Sequence, residues 1–280
     1  MAGADNRNRL DIARVTTALS GKRRIARRIE HVESIDSTSL ELGRRCSTAS
    51  AHELDGLLLV AEEQTGGRGR RGNDWFSPRS KGLWLTLALR PDLEAERLSL
   101  LSVVAAVACV RAVDRLSGPP LGLKWPNDLY CGAGKTGGLL LEMQRDVAGA
   151  PLALLGIGIN THCTEGDLPL HLRDRATSLL LEAGRTGSVA PSREDLLVAL
   201  ARELETSLDE AESGSTEDLA RLWKERSILL GRTITVTCQG ETHRGKVIDL
   251  PLPPTLVLET SGTRRVELRG EWAHVHPEAP

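Results

Sequence analysis

Apolar residues along the chain change their spacing several times, and each change predicts an element. From Ile25 to Ile35 the pattern reads as extended, and it ends in Asp36-Ser37-Thr38-Ser39. Leu57 to Ala61 is a short, fully apolar run, the signature of a strand buried on both faces. Gly82 to Arg90 alternates as a second strand. Between Arg97 and Leu116 the spacing becomes helical and the segment is apolar on most faces, which places this helix against a sheet. Gly118-Pro119-Pro120 stops it. A strand from Leu121 to Trp125 then meets the turn Pro126-Asn127-Asp128. After Gly132-Ala133-Gly134 come two further strands, Gly138 to Met143 and Leu152 to Ile159. Ser192 caps a helix carrying Leu196, Leu197, Leu200, Leu204 and Leu208, and Thr216 opens another with Leu219, Leu222 and Trp223.

Beyond Gly231 the grammar is different. Short β-rich runs (Thr233 to Cys238, Arg244 to Asp249, Thr255 to Glu259, Thr263 to Leu268) are separated by Gln239-Gly240, a proline loop and Ser261-Gly262. An all-β module of about 45 residues is marginal alone, so it is expected to pack on the main body. The chain therefore divides, as an expectation, into a short basic extension (1–30) with a weak helical pattern at Leu10, Ile12 and Val15, a mixed α/β domain (31–230) and a β module (231–280).

Composition adds exclusions. With 36 basic and 38 acidic residues among 280, the net charge of -2 gives no general reason to expect a polyanion partner. The five cysteines are scattered, without the spacing of a metal knuckle or redox pair, so free thiols in a reducing compartment are expected. The first nine residues hold no apolar signal core. The longest apolar run is too short and too interrupted to span a bilayer. A soluble, cytoplasmic protein is expected.

Candidate chemistry is concentrated in a few strings. Gln64-Thr65-Gly66-Gly67-Arg68-Gly69-Arg70-Arg71-Gly72 packs four glycines and three arginines into seven residues, ahead of Trp75-Phe76-Ser77-Pro78. Glycines let the backbone bend and turn its N–H groups to a ligand. Arginines offer charged forks that match carboxylates and phosphates. The string reads as a loop that closes on a small anion, but a surface basic loop or an RNA-binding patch fits it equally. Lys124-Trp125-Pro126-Asn127-Asp128 fixes a cation at the end of an apolar strand, where it either meets an anion or is an ordinary surface lysine beside a turn. Gly156-Ile157-Gly158-Ile159-Asn160 places glycines inside a strand, marking either close approach of a ligand or a plain bulge. Ser37-Thr38-Ser39 supplies hydroxyls suited to a polar group such as a ureido carbonyl, or simply caps a helix. Gly134-Lys135-Thr136-Gly137 imitates the end of a phosphate-binding P-loop. It lacks the earlier glycine, and a β-like run follows where a helix is required, so that reading is rejected.

In order and spacing these strings closely resemble the biotin–protein ligases, over roughly residues 32 to 276. The resemblance implies an α/β catalytic domain around a mixed sheet, like that of class II aminoacyl-tRNA synthetases and the lipoate ligases, with a C-terminal SH3-like β-barrel. It implies ATP-dependent activation of biotin to biotinyl-5′-AMP, with Mg²⁺ on the triphosphate, and transfer to a lysine of a biotin carboxyl carrier protein. By the same resemblance Ser37, Thr38, Ser39, Gln64, Gly67, Arg68, Gly69, Arg70 and Lys124 contact biotin or its adenylate, with Arg70 and Lys124 catalytic. Arg71, Gly72, Trp75, Asn127, Asp128, Lys135, Gly158 and Asn160 fall on the nucleotide side. No metal ligand is assigned to a side chain. Three positions depart from the family pattern: Ser39 replaces an asparagine, Asn73-Asp74 makes the loop's far side less basic, and Thr136 stands where an aliphatic residue is usual. The chain before Asp36 is too short for the helix-turn-helix repressor domain of some relatives, so a monofunctional enzyme is expected, with nucleic acid an improbable partner. Either a monomer or a homodimer is compatible with the resemblance.

Overall fold

A computed structural model describes residues 9–261, 264–269 and 274–276. Seven helices and twelve strands in it build two sheets. The first sheet contains β1 (Arg28–Val32), β2 (Leu57–Ala61), β3 (Gly82–Leu89), β4 (Leu121–Lys124), β5 (Asp128–Cys131), β6 (Gly134–Arg145) and β7 (Pro151–Asn160). Their order across the sheet is β1-β2-β3-β7-β6-β5-β4. β1 and β2 are parallel and every other neighbouring pair is antiparallel, so the sheet is mixed.

Both faces are covered, and alternation along the strands shows how. Leu83, Leu85, Leu87 and Leu89 of β3, with Ala153, Leu155, Ile157 and Ile159 of β7, join the larger core. On that side lie α1 (Ile12–Ala18), α4 (Leu100–Arg115), α6 (Arg193–Ser213) and α7 (Glu217–Glu225). α4 is buried almost all round, because it lies between the sheet and α6. The opposite face takes α2 (Thr38–Cys46) and α3 (Ala51–Leu54), which with Leu57, Leu59, Ala88, Leu152 and Leu154 form a smaller core. These two helices cover one end of that face, and the cavity described below occupies the rest. α5 (Leu179–Thr186) completes the helices.

Expectation and structure differ in four places. The basic extension is no appendage: Val15 and Ile25 are fully buried in the main core, and β1 completes the sheet. Residues 1–8 of it lie outside the described residues. The Pro-Asn-Asp turn leads directly into the strand β5, for which the local pattern gives no signal because Asn, Asp and Gly dominate its surroundings. β6 starts at Gly134 rather than Gly138 and carries a β-bulge opposite Leu129/Tyr130. Ser37 caps α2, one of the two readings its hydroxyl allowed, but the extent of α2 and the whole of α5 carry no readable pattern, as each is short and interrupted by a glycine.

The second sheet contains β8 (Thr233–Cys238), β9 (Glu241–Asp249), β10 (Thr255–Glu259), β11 (Arg265–Arg269) and β12 (His274–Val275), ordered β11-β10-β9-β8-β12 and antiparallel throughout. Thr263, the expected start of its fourth run, lies outside the described residues. Gln239 and Gly240 both have positive φ (52 and 86), the backbone of a two-residue hairpin turn joining β8 to β9. Apolar residues of this sheet belong to the same cluster as the main core. Trp125, 1% exposed, donates its indole N–H to the Pro254 carbonyl at 3.5 Å, and Lys224 pairs with Asp249 at 2.8 Å. The module thus packs where its small size requires.

Candidate active site

One rung of the large sheet explains where the cavity lies. Trp84 pairs with Gly158, Gly158 with Gly138, Gly138 with Asp128, and Asp128 with Lys124. Directly paired residues point to the same face, so this rung runs from a buried tryptophan over two glycines to a carboxylate and a lysine. The next rung pairs Thr86 with Gly156 and Gly156 with Leu140. Three glycines therefore leave a shallow trough in the middle of the sheet.

Trp75 lies in that trough. A Cβ added at Gly158 would sit 2.5 Å from its Nε1, and one at Gly138 would be 3.4 Å from its Cζ3. The Trp75 indole N–H is buried without a partner among the described residues, a donor held in reserve. Lys135 covers the ring, with Nζ 5.3 Å from the centroid. The bulge places it there. Leu129 pairs with Gly137 while Tyr130 pairs with Lys135, so Thr136 is the extra residue and Lys135 comes onto the face of Gly138. Thr136 itself is buried, with its hydroxyl unpartnered among the described residues. At this position an aliphatic side chain would lose nothing.

The glycine–arginine string is a laced hairpin rather than an open loop. Gln64 bridges Ser77, the Trp75 N–H donates to Gly67, Arg68 bridges Asp74, and the Gly69 N–H donates to Asn73. A turn at Arg70–Gly72 closes it, with Arg71 and Gly72 both at positive φ (60 and 76). Asn73 donates its side-chain amide to the Arg70 carbonyl at 2.9 Å. Asn73 and Asp74, which weaken the basic character of the string, are thus the residues that pair its two arms. Gly67 is buried, and a Cβ there would lie 2.5 Å from the Trp75 carbonyl oxygen, so no side chain fits. The hairpin is also tied to the start of α2, where the N–H groups of Thr65 and Gly66 donate to the carbonyls of Ile35 and Asp36.

Hairpin, trough and α2 enclose a cavity of about 510 Å³, the size of an ordinary small-molecule site. Its two ends differ in chemistry. At one end are Ser37, Thr38, Ser39 and Gln64, all neutral, with Thr38 hydrogen-bonded to Gln64. At the other are Arg68, Arg70, Arg71, Lys124, Lys135 and Arg175, six cations against the carboxylates of Asp74 and Asp128. A chain of net charge -2 has concentrated positive charge here. Arg70 Nη1 donates to Asn127 Oδ1 at 3.0 Å, while Asn127 Nδ2 holds the Leu139 carbonyl at 2.7 Å. The turn after β4 thereby fixes an arginine of the hairpin. Asp128 pairs with Lys135 at 2.6 Å. Lys124 lies over the Tyr130 ring at 5.3 Å. Burial lowers its pKa, the nearby Lys135 adds to that, and Asp128 opposes both.

Most candidate residues converge on this cavity, but three do not line it. Gly67 and Gly72 shape the hairpin behind it. Asn160 donates its amide to the Thr177 carbonyl at 2.9 Å, the Thr177 N–H donates to the Lys135 carbonyl, and the Lys135 N–H donates to the Arg175 carbonyl. Through Thr177 it therefore secures the wall that carries Lys135 and Arg175. Sequence reasoning missed Arg175, which sits in a mixed-charge loop with no local signal, and Tyr130. It also missed Thr86, the polar residue in an otherwise apolar strand, which contacts both Thr38 and Ser39. Its isolation among Leu83, Leu85 and Leu87 was a readable signal.

The chain is similar to known proteins. A model of the biotin/lipoate A/B protein ligase family matches residues 33–160. The bifunctional ligase/repressor BirA of Bacillus subtilis (strain 168) is 33% identical over 218 residues, covering 76% of this chain and 66% of that protein's length. The biotin–[acetyl-CoA-carboxylase] ligase of Mycobacterium tuberculosis is 31% identical over 254 residues, covering 89% of this chain and 90% of the relative. Among solved structures, a biotin protein ligase from Aquifex aeolicus in complex with biotin and ATP superposes with a TM-score of 0.76 at 26% identity, covering 90% of this chain and all of that one. The chain belongs to the biotin/lipoate A/B protein ligase family.

Proposed function

We propose that this protein activates biotin with ATP to biotinyl-5′-AMP and transfers the biotinyl group to a lysine of a carboxyl carrier protein. The observation that carries this reading is the two-ended cavity. A neutral hydroxyl and amide end suits a ureido ring, and a six-cation end suits a carboxylate meeting a triphosphate. The Mycobacterium tuberculosis relative is a biotin–[acetyl-CoA-carboxylase] ligase, and the Aquifex aeolicus biotin protein ligase binds both biotin and ATP.

Activation brings a carboxylate anion to an anionic α-phosphate, so cations must neutralise both. Lys124, held at the end of a strand, and Arg70, held by Asn127, are placed for that work. Among the described residues no three His, Cys, Asp or Glu side chains cluster as a metal site. Mg²⁺ therefore fits as a companion of the triphosphate, with Asp128 and Asp74 the carboxylates at hand, and supplies further charge neutralisation there. The adenylate is a mixed anhydride that water destroys, and the hairpin over the cavity excludes water from it. No thiol nucleophile is needed, and burial pushes the Cys109 and Cys163 thiols up to about 12. The five described cysteines are free and buried. The acceptor is a carrier domain, and a soluble site of action agrees with the absence of any helix, among the described residues, long and apolar enough to cross a membrane.

Incubation with biotin, ATP, Mg²⁺ and a biotin carboxyl carrier domain tests the whole reaction, read as the mass of the acceptor. An unmodified acceptor lysine, with adenylate formed, would restrict the protein to the first half-reaction. Two variants probe the site. Arg70→Ala is expected to release adenylate into solution at least about tenfold faster, because a charge-assisted contact is lost. Unchanged leakage would remove Arg70 from that role. Gly158→Ala puts a methyl group 2.5 Å from the Trp75 Nε1, so the ring must shift, and is expected to raise KM for ATP about tenfold with some loss of Tm. A KM equal to that of the unmodified protein would separate Trp75 from the nucleotide.

A further inference from the structure

Three hydroxyls behind the neutral end of the cavity form a chain whose hydrogens have a single arrangement. Gln64 Oε1 accepts the Thr38 N–H at 2.9 Å and lies 3.1 Å from Thr38 Oγ1. Gln64 Nε2 donates to Ser77 Oγ at 2.9 Å, and that hydroxyl donates onward to the Trp75 carbonyl at 3.2 Å. The amide orientation of Gln64 is thus set from both sides. Thr38 Oγ1 is 2.8 Å from Thr86 Oγ1, and Ser39 Oγ is 3.0 Å from the same atom.

Three contacts need three hydrogens, and the hydroxyls of Thr38, Thr86 and Ser39 carry one each. A carbonyl oxygen cannot donate, so the Thr38 hydrogen goes to Gln64. The Thr86 hydrogen then goes to Thr38, and the Ser39 hydrogen goes to Thr86. Thr38 and Ser39 face the cavity with lone pairs alone. Ser37 is different: its hydroxyl accepts the Leu40 N–H at 3.5 Å, as a helix cap does, and no acceptor is recorded for its own hydrogen among the described residues. The neutral end therefore offers two acceptors and one donor, the complement of two N–H groups flanking a carbonyl.

We propose that Thr86 is a specificity-determining positioning residue, which draws the Ser39 hydrogen inward and so makes the cavity accept ligand N–H groups and reject a ring oxygen in their place. Thr86 is fully buried on β3 and acts on the ligand only through Thr38 and Ser39. The inference rests on the biotin reading and extends it. It also gives the serine at position 39 a specific use, because a hydroxyl there can be proton-ordered by Thr86. Removing the Thr86 hydroxyl leaves Ser39 without its acceptor, free to turn its O–H toward the ligand. A site built on buried polar groups discriminates strongly against a ligand that cannot pair with them.

The test is calorimetric titration of the full chain with biotin and with its two cyclic carbamate analogues, in which oxygen replaces one or the other ring N–H. The unmodified protein is expected to bind biotin at least about a hundredfold more tightly than the analogue whose oxygen faces Ser39. Thr86→Val is expected to weaken biotin binding about tenfold and to shrink that gap to less than about tenfold, with kcat at saturating biotin within about threefold. Thr86→Ser, which keeps the hydroxyl, is expected to restore both affinity and gap. Should Thr86→Val fail to fold, Ser39→Ala makes the same measurement from the cavity side, where the gap is again expected to close. A folded Thr86→Val or Ser39→Ala protein that keeps the full gap would overturn the role of Thr86. Failure of the unmodified protein to bind biotin would instead overturn the functional reading, and this inference with it.

Discussion

Replacing Lys124 by alanine is expected to slow biotin-dependent pyrophosphate release by about a hundredfold to a thousandfold, the usual loss when one transition-state charge contact is removed. The expectation follows from where the lysine is held. It closes a rung that begins at Trp84 and passes over Gly158 and Gly138, so the strand fixes its backbone opposite Asp128. Its ammonium lies over Tyr130 and beside a second cation, and burial lowers its pKa below that of a free lysine. A partly buried cation with a like charge nearby is unfavourable until an anion arrives, which concentrates its effect on the step that brings carboxylate and phosphate together. Activity that needs the charged form should accordingly fall on the alkaline side at a lower pH than an ordinary lysine would give. Quenched-flow measurement of the first turnover reads the effect directly. Normal pyrophosphate release by a folded Lys124→Ala protein would remove this lysine from the chemistry.

The second large effect concerns stability. Glu62, the residue after β2, is 1% exposed and accepts hydrogen bonds from the Leu10 N–H at 2.7 Å, His31 Nε2 at 2.9 Å, Ser80 Oγ at 3.0 Å and Arg193 Nη2 at 2.8 Å. It ties the N-terminal segment, β1 and α6 to the sheet. Burial alone would raise its pKa, but the His31 hydrogen bond, the Arg193 charge and the Leu10 N–H outweigh that and bring it down from 4.5 to about 2. A carboxylate whose pKa is depressed on folding contributes stability that is present above its unfolded value and lost as the pH falls through the folded one. For Glu62 that window runs from about 4.5 down to about 2, and a shift of this size corresponds to roughly 3 kcal/mol. Glu62→Gln leaves Arg193 buried without its counter-charge and is expected to cost about 3–5 kcal/mol at neutral pH. Urea unfolding measured at neutral pH and through the acid window checks both statements. The variant should lack the Glu62 share of the acid-dependent loss, and equal stability of the two proteins at neutral pH would contradict the account.

Much of this architecture was legible because strong patterns coincide with real burial. Leu57 to Ala61 has no polar position, and both faces of β2 are covered. The apolar stretch between Arg97 and Leu116 reads as a sandwiched helix and is one. Legibility ended where local signals conflicted with distant ones. Asn127 and Asp128 are ordinary turn residues, yet Asp128 starts a strand because Gly138 is there to pair with it. α2 has few apolar positions, and only the sheet beneath Leu42 and Cys46 makes it pay to form. For the candidate site, the strings converge on one cavity, and they were conspicuous because glycines and arginines are costly in a strand or loop without a ligand. Their division of labour was not readable. Nothing local tells that Thr136 is a bulge that turns Lys135 over, that Asn160 holds a wall, or that Asn73 and Asp74 lace the hairpin. Each depends on the register of a facing strand or segment, which the string itself does not state.

The central claim is that a neutral, hydroxyl-lined end and a cationic end belong to one cavity that activates biotin at its carboxylate. Release of pyrophosphate from ATP and Mg²⁺ by the purified protein, with biotin and with lipoate in parallel, tests it most directly. The account predicts release with biotin and none above background with lipoate. Release with lipoate in place of biotin, or silence with both from folded protein, would contradict it.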